Sequence, residues 1–96
     1  MPAYMISLRK GPVKDPEAMR EYQRRVRQLG GDIKVVARVV NGMIAGLEGT
    51  PPEGAVMVEF ANMEEAQAWY DGDYQKVLPY RLKAADYDTF IVEGLG

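Results

Sequence analysis

The 96-residue sequence contains no cysteine and no histidine. Without cysteine it can form no disulfide bond, no thiolate nucleophile and no cysteine-ligated iron–sulfur site. Without histidine it lacks the side chain whose ordinary pKa lies nearest neutrality, and with it a common ligand of zinc and haem. We therefore expect no metal and no cofactor, so any chemistry has to use carboxylates, hydroxyls, phenols, amides and basic groups.

An excess of charge of one sign and long hydrophobic runs are also missing. Lys and Arg number 12 against 14 Asp and Glu, a net charge of −2 that does not favour nucleic acid as a partner. No apolar run approaches the roughly 18 residues of a membrane span, and the N-terminus does not resemble a signal peptide. We expect one domain over residues 1–96, in the cytoplasm, with neither a membrane nor nucleic acid as partner.

The pattern of apolar residues predicts six elements in the order strand, helix, strand, strand, helix, strand. Strands are predicted at residues 3–9, 33–40, 55–60 and 88–93, from apolar alternation or runs of β-branched residues. The first helix is predicted to begin at Asp15-Pro16 and to end at Gly30-Gly31. Its apolar stripe consists of Met19, Tyr22, Val26 and Leu29. Two right-handed crossovers in this order predict an α+β, ferredoxin-like fold, in which both helices cover one face of a four-stranded antiparallel sheet.

The second helical region is predicted in two parts, at residues 63–70 and 73–85. Asn62 with Glu65 three residues later is a pattern typical of a helix start, and Asp73 is expected to cap the second part. Pro79 is expected to kink that part because its ring removes one internal hydrogen bond. Residues 43–47 leave two alternatives open, a continuation of the second strand or a short separate arm.

Several short blocks, spread over nearly the whole chain, carry a resemblance to a known family. They are Asp15-Pro16-Glu17, Gly30-Gly31, Ala37-Arg38, Leu47-Glu48-Gly49, Glu59-Phe60, Ala68-Trp69-Tyr70, Tyr74-Gln75, Arg81, Ala84-Ala85 and Val92-Glu93-Gly94. In order and spacing they resemble a bacterial family known as domain-of-unknown-function family 1330. The resemblance implies a dimeric α/β barrel, in which the sheets of two ferredoxin-like protomers pack together as a homodimer. Relatives in that wider group include cofactor-free monooxygenases, lactone isomerases and haem-dependent enzymes, but the family itself implies no catalytic residue.

A mixed set of strand residues is predicted on the sheet face away from the helices. Its members are Met5, Ser7, Met57, Glu59, Thr89 and Ile91. Such a face is too apolar for water and too polar for an ordinary core, which favours a second copy of the chain as its cover. Arg38 is predicted to join it and to pair with Glu59. That pair would either place a guanidinium for an anionic or carbonyl-bearing ligand, or form an ion pair that fixes strand register or dimer geometry.

Aromatic and basic residues of the helices are the candidates for ligand binding. Tyr74 and Arg81 are seven residues apart, about two helical turns, and are expected to share a face. Aromatic walls suit a small flat molecule, although Tyr22 and Trp69 have the spacing of core residues as well. The predicted ligand-binding residues are Arg38, Trp69, Tyr74, Arg81 and Tyr22, with Glu59 as the catalytic general base. No metal site is predicted, because Asp71 and Asp73 lack the later ligands of a calcium loop.

Two classes of function remain open from the sequence. One is a homodimer that binds or transforms a small organic metabolite without metal or cofactor, with monooxygenase or isomerase chemistry suggested by fold analogy alone. The other is a non-catalytic dimeric module for ligand binding or protein interaction. An enclosed cavity with a carboxylate or phenol in its wall favours the first, and a filled core with an exposed apolar patch favours the second.

Overall fold

The computed structural model describes residues 1–30, 33–39 and 42–95. The strands are β1 (Ala3–Arg9), β2 (Lys34–Val39), β3 (Gly54–Phe60) and β4 (Tyr87–Glu93). The helices are α1 (Pro16–Arg27), α2 (Met63–Asp71) and α3 (Leu78–Ala84), and a 3₁₀ turn (Asp73–Lys76) precedes α3. The predicted helix stop at residues 30–31, the strand end at residue 40 and the turn at residues 41–42 each include a position outside the described ranges.

The four strands form one antiparallel sheet in the order β2-β3-β1-β4. This order results because each helical connection runs from a central strand to an edge strand, from β1 to β2 and from β3 to β4, and passes one strand on the way. The predicted ferredoxin-like α+β fold is therefore confirmed. None of the helices in the described part of the chain is long and apolar enough to cross a membrane.

The helices do not cover the sheet evenly. Helix α2 packs on β1, β3 and β4, whereas α1 packs mainly against α3. The buried cluster under α2 consists of Ala3, Met5, Phe60 and Ala66. Two alanines in this cluster let α2 approach the sheet closely. Since α1 has no comparable contact, space remains between α1 and the sheet.

Burial alternates along β1 and shows which of its faces lies beneath the helices. Met5 is opposite Val58 on β3 and Ile91 on β4, while Ser7 is opposite Thr89 on β4. All these residues lie on the helix side, and Met5 and Ser7 are buried. The prediction that Met5, Ser7, Thr89 and Ile91 face away from the helices is wrong, whereas Met57 and Glu59 do face away. Alternation defines two sets of residues, but it does not say which set the helices cover.

The starts of α1 and α2 follow the sequence prediction. Asp15 Oδ1 accepts a hydrogen bond from the Ala18 backbone N–H at 3.0 Å, and Asn62 Oδ1 accepts one from Glu65 N–H at 2.8 Å. Each side chain satisfies a backbone donor that has no partner within its helix. Both predicted caps are therefore confirmed.

The segment between α2 and β4 differs from the prediction. Pro79 does not kink a helix, because α3 begins at Leu78 and Pro79 falls in its first turn, where a missing N–H disturbs no helical bond. Asp73 is not a cap but the first residue of the 3₁₀ turn, which has no side-chain capping bond. Among residues 42–53 the structure contains no strand, so residues 43–47 are part of a loop.

Candidate functional site

A cavity of about 450 Å³ lies between the sheet and α1. Its roof consists of Met19, Tyr22 and Val26 of α1, and its floor includes Val56 and Val58 of β3. Sites for small organic molecules usually have volumes of roughly 300–1,000 Å³. The apolar stripe of α1, predicted as core, therefore borders open space along much of its length, and its residues are only half-buried.

Aromatic rings form one end of this cavity around Tyr74, which is 2% exposed. The ring centroid of Tyr74 is 4.7 Å from that of Trp69 and 5.4 Å from that of Tyr70. Tyr22 of α1 meets the same ring edge-on, with 6.2 Å between centroids. The hydroxyl groups of Tyr22 and Tyr74 are 2.8 Å apart and form a hydrogen bond. This bond links the roof of the cavity to the 3₁₀ turn.

The surroundings of Tyr74 and Tyr87 in the cavity wall favour the neutral form of their phenols. Burial raises the pKa of Tyr74 far above its ordinary value, and neighbouring Tyr22 raises it further, while Arg81 opposes both effects. Burial also raises the pKa of Tyr87, against the opposing charges of Arg9 and Arg81. A neutral phenol can donate a hydrogen bond, so Tyr74 can act as a donor and is a poor base.

Arg81 of α3 is a buried cation in the cavity wall. Arg81 is only 5% exposed, and its Nη1 donates a hydrogen bond to Ser7 Oγ at 3.3 Å. Ser7 Oγ is in turn 3.1 Å from Thr89 Oγ1. The guanidinium carbon is 5.0 Å from the ring centroid of Tyr87 and 5.6 Å from that of Tyr74. Among the described residues, none accepts a hydrogen bond from the buried Nε atom.

Positive charge predominates in the cavity wall. Four arginines line it, namely Arg9, Arg27, Arg38 and Arg81. Neither Asp nor Glu occurs among the described lining residues. Arg9 is buried and donates to the Glu53 backbone carbonyl at 3.2 Å, whereas Arg38 is exposed at the β2 side. Within the described ranges, no group of three or more Asp and Glu side chains is placed to hold a metal ion.

The comparison with protein families decides the identity of the chain. The profile of the family described as "Domain of unknown function (DUF1330)" matches residues 2–95. The chain belongs to this family. The resemblance noted from the sequence blocks is therefore confirmed. No curated protein matches this DUF1330 protein.

Solved structures similar to this DUF1330 protein share its fold at low sequence identity. An ethyl tert-butyl ether D (EthD) family protein from Bacillus halodurans C-125 is 20% identical, with a TM-score of 0.66. That alignment covers 99% of this chain and 100% of the other. A protein of unknown function from Rhodopseudomonas palustris is 19% identical, with a TM-score of 0.63, over 99% of this chain and 83% of the other. At such identities the similarity supports the fold alone.

The cavity of this DUF1330 protein brings together five of the six predicted site residues. They are Tyr22, Arg38, Trp69, Tyr74 and Arg81. The sixth, Glu59, lies on the other face of the sheet, opposite Lys34, with 3.7 Å between Lys34 Nζ and Glu59 Oε2. The predicted Arg38–Glu59 pair is wrong, because the strand register places Arg38 opposite Val56 and directs it to the cavity side. A role for Glu59 as general base stays a prediction, and it would concern the open face of the sheet.

Five polar residues of the described cavity lining were absent from the predicted ligand site. They are Ser7, Arg9, Gln23, Arg27 and Tyr87, of which Ser7 was assigned to the opposite face of the sheet. One signal in the sequence could have indicated that Ser7 and Arg9 belong to the site. Both share a strand face with Met5, and two polar residues on a buried face indicate a polar site rather than plain core. Tyr87 has no such signal, since it lies one residue before the predicted strand.

Proposed function

We propose that this protein binds a small organic molecule, through its own side chains, in the cavity between the sheet and α1. The cavity is the observation that carries the proposal. Its aromatic end and valine-rich floor complement a flat, largely apolar body, and its volume of about 450 Å³ exceeds that of a bicyclic aromatic. Its lining faces solvent at β2, where Val35 is 51% exposed.

A cavity of this size needs a reason in a chain of 96 residues. Protein interiors are packed as densely as organic crystals, and large voids are destabilising. Because the core is small, the protein would bury more apolar surface if α1 packed directly on the sheet. The hydrogen bond between Tyr22 and Tyr74 and the packing of α1 on α3 instead hold the helix away from it. This arrangement supports a cavity maintained for a ligand.

A transformation of the bound molecule is the second candidate function, and the phenol pair favours it. Tyr22 and Tyr74 share a hydrogen bond in the wall, and the raised pKa of Tyr74 keeps its phenol neutral, so that it can donate a hydrogen bond to an oxygen of the substrate. Since the described lining offers no carboxylate, the arrangement supports cofactor-free chemistry of the isomerase kind, assisted by a hydrogen-bond donor, better than chemistry that begins with a carboxylate base.

We also propose that the protein is a homodimer whose two copies meet through the helix-free face of the sheet. That face carries Tyr4, Ile6, Leu8, Met57, Phe90 and Val92. Phe90 is 42% exposed and Val92 is 38% exposed. A continuous apolar face of this kind supports burial against an equivalent face.

The binding proposal is tested with N-phenyl-1-naphthylamine, a neutral probe whose emission increases in apolar surroundings. We expect one probe molecule per chain, together with quenching of Trp69, the only tryptophan. Val56→Trp should weaken binding by about tenfold or more, since the indole ring occupies the floor of the cavity. Val36→Trp is the matched control, because Val36 is 40% exposed on β2 outside the lining. Absence of probe binding, or equal weakening by both variants, would contradict the proposal.

A further inference from the structure

We infer that the molecule bound in the cavity carries a carboxylate, and that Arg81 is the residue that binds this group. The inference rests on the proposed function and specifies the chemical class of its ligand. It depends on two observations. One is the incomplete pairing of Arg81, and the other is that the charged side chains of the described cavity lining are all positive.

The first observation concerns the surroundings of Arg81. An arginine side chain stays protonated in proteins, so its charge is present even when it is buried. Buried cations normally pair with carboxylates, because loss of hydration is otherwise uncompensated. Arg81 has only the Ser7 hydroxyl as a hydrogen-bond acceptor, at 3.3 Å, and no described residue forms an ion pair with it. The rings of Tyr74 and Tyr87 compensate part of the charge through cation–π contacts. An anion in the cavity would complete the pairing.

The second observation concerns how charge is distributed over the molecule. The chain has more acidic than basic residues, 14 against 12. Its described cavity lining nevertheless contains four arginines and no acidic residue. The basic wall is therefore a local feature and does not reflect a basic protein. Arg27, Arg38 and Arg81 favour a ligand with negative charge, whereas they would repel a cationic ligand.

The shape of the site favours a carboxylate on a flat apolar body. The guanidinium is planar, and Tyr74 and Tyr87 lie close to it, so its donors suit a planar acceptor that binds in the same plane. Trp69 and Tyr74, with ring centroids 4.7 Å apart, provide aromatic surface next to this anchor for the rest of the molecule. The residues combine one deep cationic anchor with an aromatic wall, which is the arrangement that an aryl carboxylate would fill.

The test compares 2-naphthoate with 2-naphthamide, which has nearly the same shape but no charge, by isothermal titration calorimetry. For the wild-type protein at pH 7 we expect naphthoate to bind about tenfold or more tightly, as a charge-assisted hydrogen bond would provide. Arg81→Met should remove this preference and leave the affinity for naphthamide within about threefold. Arg20→Met, which neutralises an exposed arginine of α1 outside the cavity lining, is the control and should retain the preference.

The possible outcomes separate this inference from the proposed function. Equal binding of naphthoate and naphthamide to the wild type, or a preference for 1-naphthyl phosphate over naphthoate, would overturn the carboxylate assignment and leave a ligand cavity standing. A preference for naphthoate that survives in Arg81→Met would overturn the role of Arg81. If Arg81→Met does not fold, as judged by circular dichroism, the wild-type comparison still tests the carboxylate assignment. The Arg81→Lys variant then tests the role of Arg81, because lysine keeps the charge but lacks the planar donors of the guanidinium and should weaken the preference for naphthoate. Failure of naphthoate, naphthamide and the neutral naphthylamine probe alike would remove the proposed function itself.

Discussion

Tyr74 connects three parts of the cavity wall through one side chain. Its ring contacts Trp69 and Tyr70 of α2, its hydroxyl meets that of Tyr22 on α1, and the Arg81 guanidinium lies 5.6 Å from its centroid. Replacing it therefore tests how far a single phenol maintains the shape of the site. Because the phenol is buried, the same substitution also tests its electrostatic environment.

Tyr74→Phe should lower the free energy of unfolding at pH 7 by about 1 kcal/mol, the usual contribution of one intramolecular hydrogen bond. Burial raises the pKa of Tyr74, so the folded state keeps a proton that the unfolded state releases above pH of about 10. The stabilisation by the neutral phenol is complete below that pH and is lost as the pH rises further. Urea unfolding between pH 7 and 11 should show a smaller decline for Tyr74→Phe than for the wild type. Identical declines would contradict this account.

At the scale of elements, α1 determines whether the cavity exists, because it forms the roof without packing closely on the sheet. Its first turn is held by Asp15, whose Oδ1 accepts the Ala18 N–H and whose Oδ2 lies 3.6 Å from Lys83 Nζ on α3. These contacts connect the start of α1 to the neighbouring helix. The cap therefore contributes to the position of the roof as well as to the helix itself.

Asp15→Asn tests this contribution through its pH dependence. The hydrogen bond from the Ala18 N–H is the main reason that the pKa of Asp15 is lowered; burial opposes it, and the Lys83 ammonium group lowers the pKa further. Stability from the ionised carboxylate is therefore present above its ordinary pKa of about 4 and is lost as the pH falls through the lower folded value. We expect the wild type to melt at a higher temperature than Asp15→Asn at pH 6, and this difference to vanish near pH 2. A difference that does not change with pH would show that ionisation is unimportant here.

For the whole molecule, the two faces of the sheet differ in the residues they carry. The helix side carries the cavity and its arginines, and the other side carries an apolar surface with Glu59 and Lys34 paired on it. Glu59 also raises the pKa of Tyr4 on this open face, although burial contributes more. The proposed ligand binding and the proposed self-association can thus be tested by separate mutations.

Phe90→Glu should weaken self-association by about tenfold or more, because a carboxylate buried in an apolar contact loses its hydration. Sedimentation velocity at micromolar concentration should show a dimer for the wild type and a monomer for the variant. Leu82→Glu is the control, since Leu82 is 65% exposed on α3 and should leave the dimer intact. A monomeric wild type, or an equal effect of both variants, would contradict dimerisation through the open face.

Particular residues show how far prediction from the sequence extends. The caps at Asp15 and Asn62 were identified because a cap depends on residues within one helical turn. Five ligand residues were predicted from their chemical type, four of them on helices and Arg38 on a strand, and they do line one cavity. The partner of Arg81 was not identified, because Ser7 lies 74 positions away and was assigned to the wrong face. Arg38 was given the wrong partner, because strand register depends on β3 and on the bulge between Val35 and Ala37.

The sequence by itself determined the order of the strands and main helices, the alternation along each strand and the starts of α1 and α2, since each depends on neighbours a few positions apart. Only the tertiary structure decided which face of β1 is buried, which strand residues are opposite one another and that α1 stands away from the sheet. Those features depend on contacts between distant segments, and local periodicity is the same for either choice of face. The cavity is the result of these long-range contacts, and so is the buried positive charge of Arg81.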